Sequence, residues 1–213
     1  MANAQAPSNV GSGYWSVDVG RALIALIPAV VITFNRDHSA QLGLLVFGAF
    51  AVASGLLFVL AGPRTLTSST DRRLFLLQGI VSIVSGAVAL TFYSGGHGMF
   101  LFVLSAWAAV TGFLEIYSGI RVRGRAAPAK DWLYTGIATA VLALLFLLLP
   151  PNPVVSVGLF GAYLVFLVVF LPIAGLSLKW ESPRQLRGSS VPTSSAPAHP
   201  APTSSAPNDL DSP

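Results

Sequence analysis

The sequence predicts an all-α integral membrane protein of six transmembrane helices, arranged as three parallel helical-hairpin repeats and followed by a disordered C-terminal tail. Of the 213 residues, 54% are apolar and 9% are charged, whereas roughly a quarter of the residues of a soluble domain are charged. The chain also offers six apolar stretches of about the 20 residues that a helix needs to cross a bilayer. Finally, a short motif recurs in every second stretch.

Charge and composition limit the partners. The formal net charge is +4, but the basic residues stand in short clusters beside apolar runs and form no continuous basic face, so nucleic acid is not an expected partner. The absence of cysteine excludes disulfides, thiolate nucleophiles and cysteine-ligated metals. The lipid bilayer is therefore the expected partner, and any small-molecule ligand is unknown.

The membrane domain is predicted over residues 18–180, after an N-terminus (1–17) that lacks Lys and Arg and is expected to be disordered and uncleaved. The hairpins cover about 19–62, 74–120 and 132–178. The short turns within them, at 35–40, 94–98 and 150–153, permit only antiparallel neighbours. The predicted spans are Val19–Phe34, Gln41–Ala61, Leu74–Tyr93, Met99–Ile120, Trp132–Leu149 and Val154–Leu178.

The repeat is visible in the even-numbered spans. Gly48-Ala49-Phe50 recurs as Ser105-Ala106-Trp107 after 57 residues and as Gly161-Ala162-Tyr163 after a further 56. Gly55 and Gly112 match in the first two copies, and Thr33-Phe34 matches Thr91-Phe92. A period of this length indicates one supersecondary unit that is copied and packed beside itself. Since each copy begins and ends on the same side, the repeats are parallel, about an axis near the membrane normal.

Basic residues predict the orientation. All Lys and Arg residues except Arg36 lie in the connections between hairpins, after span six or at the start of span one, which the positive-inside rule assigns to the cytoplasm. Both termini are therefore expected in the cytoplasm. Residues 181–213 are rich in Pro, Ala, Ser and Thr, repeat the motif PTSSAP and are expected to form a disordered spacer.

Among the acidic residues, Glu115 alone lies well inside a predicted span. An ionised carboxylate at that depth needs a partner or water. One interpretation makes it a proton acceptor or ion ligand. The favoured interpretation pairs it across the bundle with Arg21, or with another arginine near the interface, as a packing device. Arg21 itself follows Asp18 at helical i, i+3 spacing, so a local interfacial ion pair or a lipid phosphate contact is also expected there.

Other polar residues point to no catalytic chemistry. His38 and His97 lie in external turns and are candidate acid-sensing residues, but no third ligand at metal-binding spacing accompanies them. The sequence contains no P-loop, nucleophile elbow or zinc-protease motif. We therefore expect no catalytic, cofactor-binding or metal-binding residues, and no enzyme.

The stretch AWAAVTGFLEIYSGIR, residues 106–121, closely resembles the corresponding helix of the HdeD-like acid-resistance membrane proteins. The resemblance implies six membrane helices built from short repeats, residence in the bacterial inner membrane and a link to acid or general stress. The residues that match the family pattern are Trp107, Gly112, Glu115, Arg121 and, more loosely, Arg21. The third copy departs from the pattern, with Val168 in the place of the glycine.

The sequence thus predicts a stress-associated structural or interaction protein of the cytoplasmic membrane. The alternative is a small channel or transporter that carries protons or a solute past Glu115, with hinges at Pro28 and Pro172. A water-accessible cavity that reaches Glu115 would favour transport, whereas a dry bundle would favour the interaction role. The many glycines of the spans are expected to be packing residues, and they suggest homo-oligomerisation.

Overall fold

The computed structural model of the chain describes residues 15–66, 68–123 and 129–188, with the side chains of the last helix described as far as Ser177. Residues 1–14 of the expected disordered N-terminus, and the expected tail from residue 189 onwards, lie outside the described residues. The described part forms six α-helices. They are α1 (Trp15–Phe34), α2 (Ala40–Thr65), α3 (Ser69–Thr91), α4 (Gly96–Arg121), α5 (Ala129–Leu148) and α6 (Pro153–Gly188).

Polarity in this bundle is distributed as in a protein surrounded by lipid. All six helices are long and apolar enough to cross a membrane. Large apolar side chains such as Ile27, Phe34 and Leu147 are more than two-thirds exposed, whereas Asp18 and Glu115 are buried. An apolar surface of this extent would be unstable in water and is the normal surface of a transmembrane bundle. The chain is therefore a multi-pass membrane protein.

Most helices extend beyond the predicted spans. The first helix begins at Trp15, so residues 15–17, which were expected in the disordered N-terminus, are helical. The fourth and fifth helices each begin three residues earlier than predicted, at Gly96 and Ala129. The third helix begins at Ser69, five residues before the predicted start at Leu74, because its first turn is polar and could not be recognised from hydropathy. The second helix continues through Pro63 to Thr65. The sixth helix reaches Gly188, so residues 181–188, which were expected in the tail, are helical. Polar residues with good helix propensity can prolong a helix that the membrane segment has already nucleated.

The predicted turns within the hairpins are capped by their own residues. Asp37 accepts hydrogen bonds from the backbone N–H and the hydroxyl of Ser39, whose Oγ in turn accepts from the Leu42 N–H at the start of α2. In the second turn, Gly96 has a φ of +75°, a conformation that favours glycine. At the third, the Asn152 side chain accepts from the Val155 N–H where α6 begins. These contacts set the sharp reversals.

The helices form a closed ring, because each contacts its chain neighbours and α6 returns to contact α1. The most extensive contacts join α2 to α3, α4 to α5 and α6 to α1, which are pairs from adjacent hairpins. Glycines make these contacts close: a Cβ on Gly55 would lie 2.6 Å from the Gly79 carbonyl oxygen, and one on Gly112 would lie 3.1 Å from that of Gly136. Small residues permit such close approach in lipid.

The centre of the ring is filled by five rings that we call the central aromatic cluster. Phe47 and Phe50 of α2 make edge contacts with Trp107 of α4, at centroid distances of 5.3 and 6.0 Å. Phe160 of α6 contacts both phenylalanines, and Tyr163 contacts Trp107 at 6.3 Å. Edge-to-face geometry is the favoured arrangement of aromatic pairs. The inner helices α2, α4 and α6 therefore meet in a packed core.

Candidate functional site

Glu115 lies in the interior of the bundle, with its residue 5% exposed, and is held by two donors from other helices. Its Oε1 accepts from the Arg21 Nη2 at 2.8 Å and from the Gln78 Nε2 at 2.7 Å. The pairing of Glu115 with Arg21 across the bundle, predicted from the sequence, is thus confirmed. We call Arg21, Gln78 and Glu115 the buried ionic network. It connects α1, α3 and α4.

Two neighbours shape this network. The Arg21 guanidinium lies 4.7 Å from the centroid of the Phe58 ring of α2, a cation–π geometry that is favourable in a desolvated setting. On the other side, a Cβ added to Gly136 of α5 would lie 2.9 Å from the Glu115 Cβ. The network therefore depends on the face of the Phe58 ring in α2 and on the glycine at position 136 of α5, where a side chain would collide with Glu115.

Asp18 behaves differently from the local interfacial pair that its spacing to Arg21 predicted. It is 1% exposed, and its Oδ2 has no hydrogen-bond partner, while the ion pair of Arg21 that the structure shows is the one with Glu115. The i, i+3 spacing placed the two residues on one helix face, but that face points into the bundle. Burial of Asp18 is therefore a feature that sequence reasoning missed.

Gln78 is the other residue that sequence reasoning missed. It lies near the start of predicted span three, at the same end of the bundle as Glu115 in span four, and it is 3% exposed. An amide inside an apolar run, at the depth of a carboxylate in the adjacent span, was the available indication. The amide donates to Oε1, the same oxygen that accepts from Arg21, and the Oε2 of Glu115 is buried with no hydrogen-bond partner.

Arg121 does not join the network. It approaches Asp71 of α3, with Nη1 and Oδ1 3.8 Å apart, and its side chain is 36% exposed while that of Asp71 is buried. Asp71 stands in the first turn of α3, where the helix dipole favours a negative charge. The structure therefore separates Arg121 from Glu115, although both belong to the motif that carries the family resemblance.

Trp107 and Gly112 occupy packing positions on α4. The Trp107 Nε1 donates to the Ser82 hydroxyl of α3 at 3.0 Å, so the indole is both hydrogen-bonded and part of the central aromatic cluster. Gly112 lies against α5, where an added Cβ would be 2.8 Å from the Ala140 nitrogen. These two residues, with Glu115, position α4 against α3 and α5.

The two histidines are far from the network along the chain and do not contact each other. The His97 Nε2 lies 3.1 Å from the Ser156 Oγ, and that hydroxyl already donates to the Asn152 carbonyl. The imidazole must therefore be the donor, and Nε2–H is present in both the Nε2-protonated neutral ring and the charged ring. His38 is within 3.4 Å of the Arg36 carbonyl in its own turn.

Two grooves on the described part of the bundle are lined by apolar side chains. A groove of about 340 Å³ between α3 and α4 is lined by Leu77, Val81, Ala109, Val110, Phe113 and Leu114. A second groove, of about 190 Å³, lies between α5 and α6. Glu115 lines neither groove.

Among the described residues, no group of three His, Asp or Glu side chains is placed to hold a metal ion. The buried carboxylates instead act on the bundle itself, through the network and through the pair of Asp71 with Arg121. Comparison of the chain with protein-family models, with curated proteins and with solved structures found no match.

Proposed function

We propose that this protein has a structural or interaction role in the cytoplasmic membrane, without enzymatic activity, and that it is an HdeD-like protein associated with acid stress. The observation that carries the proposal is the filled interior. The central aromatic cluster occupies the space between α2, α4 and α6, and Glu115 is engaged by Arg21 and Gln78. A bundle of this kind presents its lipid-facing surface and its loops to partners.

The same observation weighs against the channel or transporter. A pathway needs several polar groups along its length that can exchange partners with water or a solute. Here the buried hydroxyls of Thr111 and Thr139 donate to carbonyls of their own helices, and the Tyr163 hydroxyl bonds to Thr139. These hydroxyls are therefore engaged in hydrogen bonds within the bundle, which weighs against their use as a path for a solute.

Contacts between equivalent positions support the parallel repeat. Phe50, Trp107 and Tyr163 end the three copies of the motif, and their rings meet in the central aromatic cluster. Gly62, Gly119 and Gly175 are spaced by the same two intervals. Gly119 and Gly175 each touch the backbone of the outer helix packed against them, and Gly62 touches the Phe75 side chain. Symmetric packing of three copies explains both sets.

The described basic side chains at one end of the bundle support cytoplasmic termini. Arg64, Arg72, Arg73, Arg123 and Lys130 are all exposed and lie at the ends of helices in the connections between hairpins. Apart from Gly96 and Gly98 at the start of α4, the glycines of α2 to α5 pack against other parts of the same chain, so a homo-oligomer would have to use other surfaces. The chain has no cysteine, so single cysteines at Ser94 and Arg123 would report the two sides by labelling with an impermeant maleimide.

The experiment that tests the role has two arms. Vesicles that contain the purified protein should hold an imposed pH gradient as long as empty vesicles do. A leak in wild type that Glu115→Gln abolishes would instead establish proton transport. In cells, a deletion strain should lose survival after acid challenge and regain it with wild type and with a form truncated before Gly188. Unchanged survival of the deletion strain would remove the acid-stress role.

A further inference from the structure

Asp18 is a buried carboxyl group that the ionic network does not use. Its residue is 1% exposed, and its Oδ2 has no hydrogen-bond partner. If Gly175 of α6 carried a Cβ, that atom would lie 3.3 Å from the Asp18 Cβ and 3.0 Å from the Trp15 carbonyl oxygen. Asp18 therefore stands in the seam where the first and last helices close the ring.

The charged side chains around Asp18 carry a net negative charge. The charged side chains that act on it are Arg21 on its own helix, Asp131 of α5 and Glu115 of α4. Helix α6 carries no Asp, Glu, Lys or Arg from Pro153 to Ser177. Arg21 is already hydrogen-bonded to Glu115, so an ionised Asp18 would add a second negative charge to an interior that one guanidinium serves. A buried charge without its own partner has a large free-energy cost.

We propose that Asp18 binds one proton and that the neutral acid is the form in which α1 packs against α6. The proton comes from bulk water and forms an O–H bond on the carboxyl group, which leaves Arg21 and Glu115 as a balanced pair. Ionisation of Asp18 would place an unpaired charge against the α6 backbone and would separate the seam. The closed seam is thus favoured at low pH and weakened as pH rises. This inference does not rest on the acid-stress role.

Infrared spectroscopy of the protein in lipid vesicles tests the proton directly. At neutral pH we expect a carbonyl band of a protonated carboxylic acid, above the amide I band, that shifts when aspartate is labelled with ¹³C. Asp18→Asn should remove the band, while Asp37→Asn, in an exposed external turn, should leave it. A band that persists in Asp18→Asn, or that is absent from wild type, would overturn the proposal.

Cysteine labelling tests the seam. Val19 faces α6, since its Cγ2 lies 3.5 Å from the position of a Cβ on Gly175. Val19→Cys in the otherwise cysteine-free chain should be labelled faster as pH rises. The same cysteine in an Asp18→Asn background is the control, because its labelling rate reports the pH dependence of the thiol alone. The increase in rate should be larger in the wild-type background than in this control. Asparagine has the shape of the neutral acid and should preserve the fold. Identical pH profiles in the two backgrounds would refute the seam function.

Discussion

Removal of the Glu115 charge tests whether the buried ionic network holds the bundle together. In Glu115→Gln, the Gln78 amide keeps an oxygen acceptor, but the Arg21 guanidinium, whose side chain is 9% exposed, loses its anionic partner. Breaking a buried ion pair by removing one partner costs about 3–5 kcal/mol. Because the hydrogen bond to Gln78 is retained, we expect a loss near the lower end, about 3 kcal/mol.

The assay is reversible unfolding in mixed micelles of a mild detergent and SDS, followed by tryptophan fluorescence, as a double-mutant cycle. Arg21→Gln combined with Glu115→Gln removes both charges and should be more stable than either single variant predicts, with a coupling of about 1–3 kcal/mol. Arg36→Gln, at an exposed position in the turn between α1 and α2, is the matched control and should change the stability by no more than about 0.5 kcal/mol. Additive single effects, or a loss below that of the control, would refute the reasoning.

Three further outcomes follow from local contacts. Gly55→Ala brings a Cβ to 2.6 Å from a backbone oxygen and should destabilise the bundle by about 1–3 kcal/mol, whereas Gly158→Ala, where nothing lies within 4 Å, should be neutral or stabilising in the same unfolding assay. Trp107→Phe removes the hydrogen bond to Ser82 and part of the ring packing in the central aromatic cluster and should cost about 2–3 kcal/mol, and an unchanged stability would contradict this role. ¹⁵N NMR of His97 should show a proton on Nε2 in the neutral ring, because the Ser156 hydroxyl is already a donor to the Asn152 carbonyl, and an unprotonated Nε2 would contradict the donor assignment.

The membrane fold was predictable because lipid imposes one rule, that every spanning segment is an apolar helix of sufficient length. The limits of that rule explain the differences. The polar first turn of α3 and the helical residues 181–188 lie where hydropathy carries no information. The pairing of helices from adjacent hairpins was not predicted, because it depends on which glycine faces meet. Gly55 against Gly79 is a matter of three-dimensional register, which the linear motif does not contain.

The ion pair of the site was predictable from the sequence, whereas the contact of Gln78 and the burial of Asp18 were not. Glu115 required a partner and Arg21 was available at the same end of the bundle, so the pair followed from the cost of burying charge. The roles of Gln78 and Asp18 were not predicted. An amide within a span does not require a partner from a distant part of the sequence, and a carboxyl group near the start of a helix is usually solvated.

Divergence among the three copies places the ionic network in one part of the ring. The residues equivalent to Glu115, by the spacing of the repeated motif, are Phe58 in α2 and Leu171 in α6, and both are buried. Phe58 covers the Arg21 guanidinium, so the first copy contributes an aromatic face where the second contributes a charge. Leu171 supplies neither. Replacing Leu171 with Glu should therefore destabilise the bundle by several kcal/mol, because the new carboxylate would be buried while Arg21 is already engaged by Glu115.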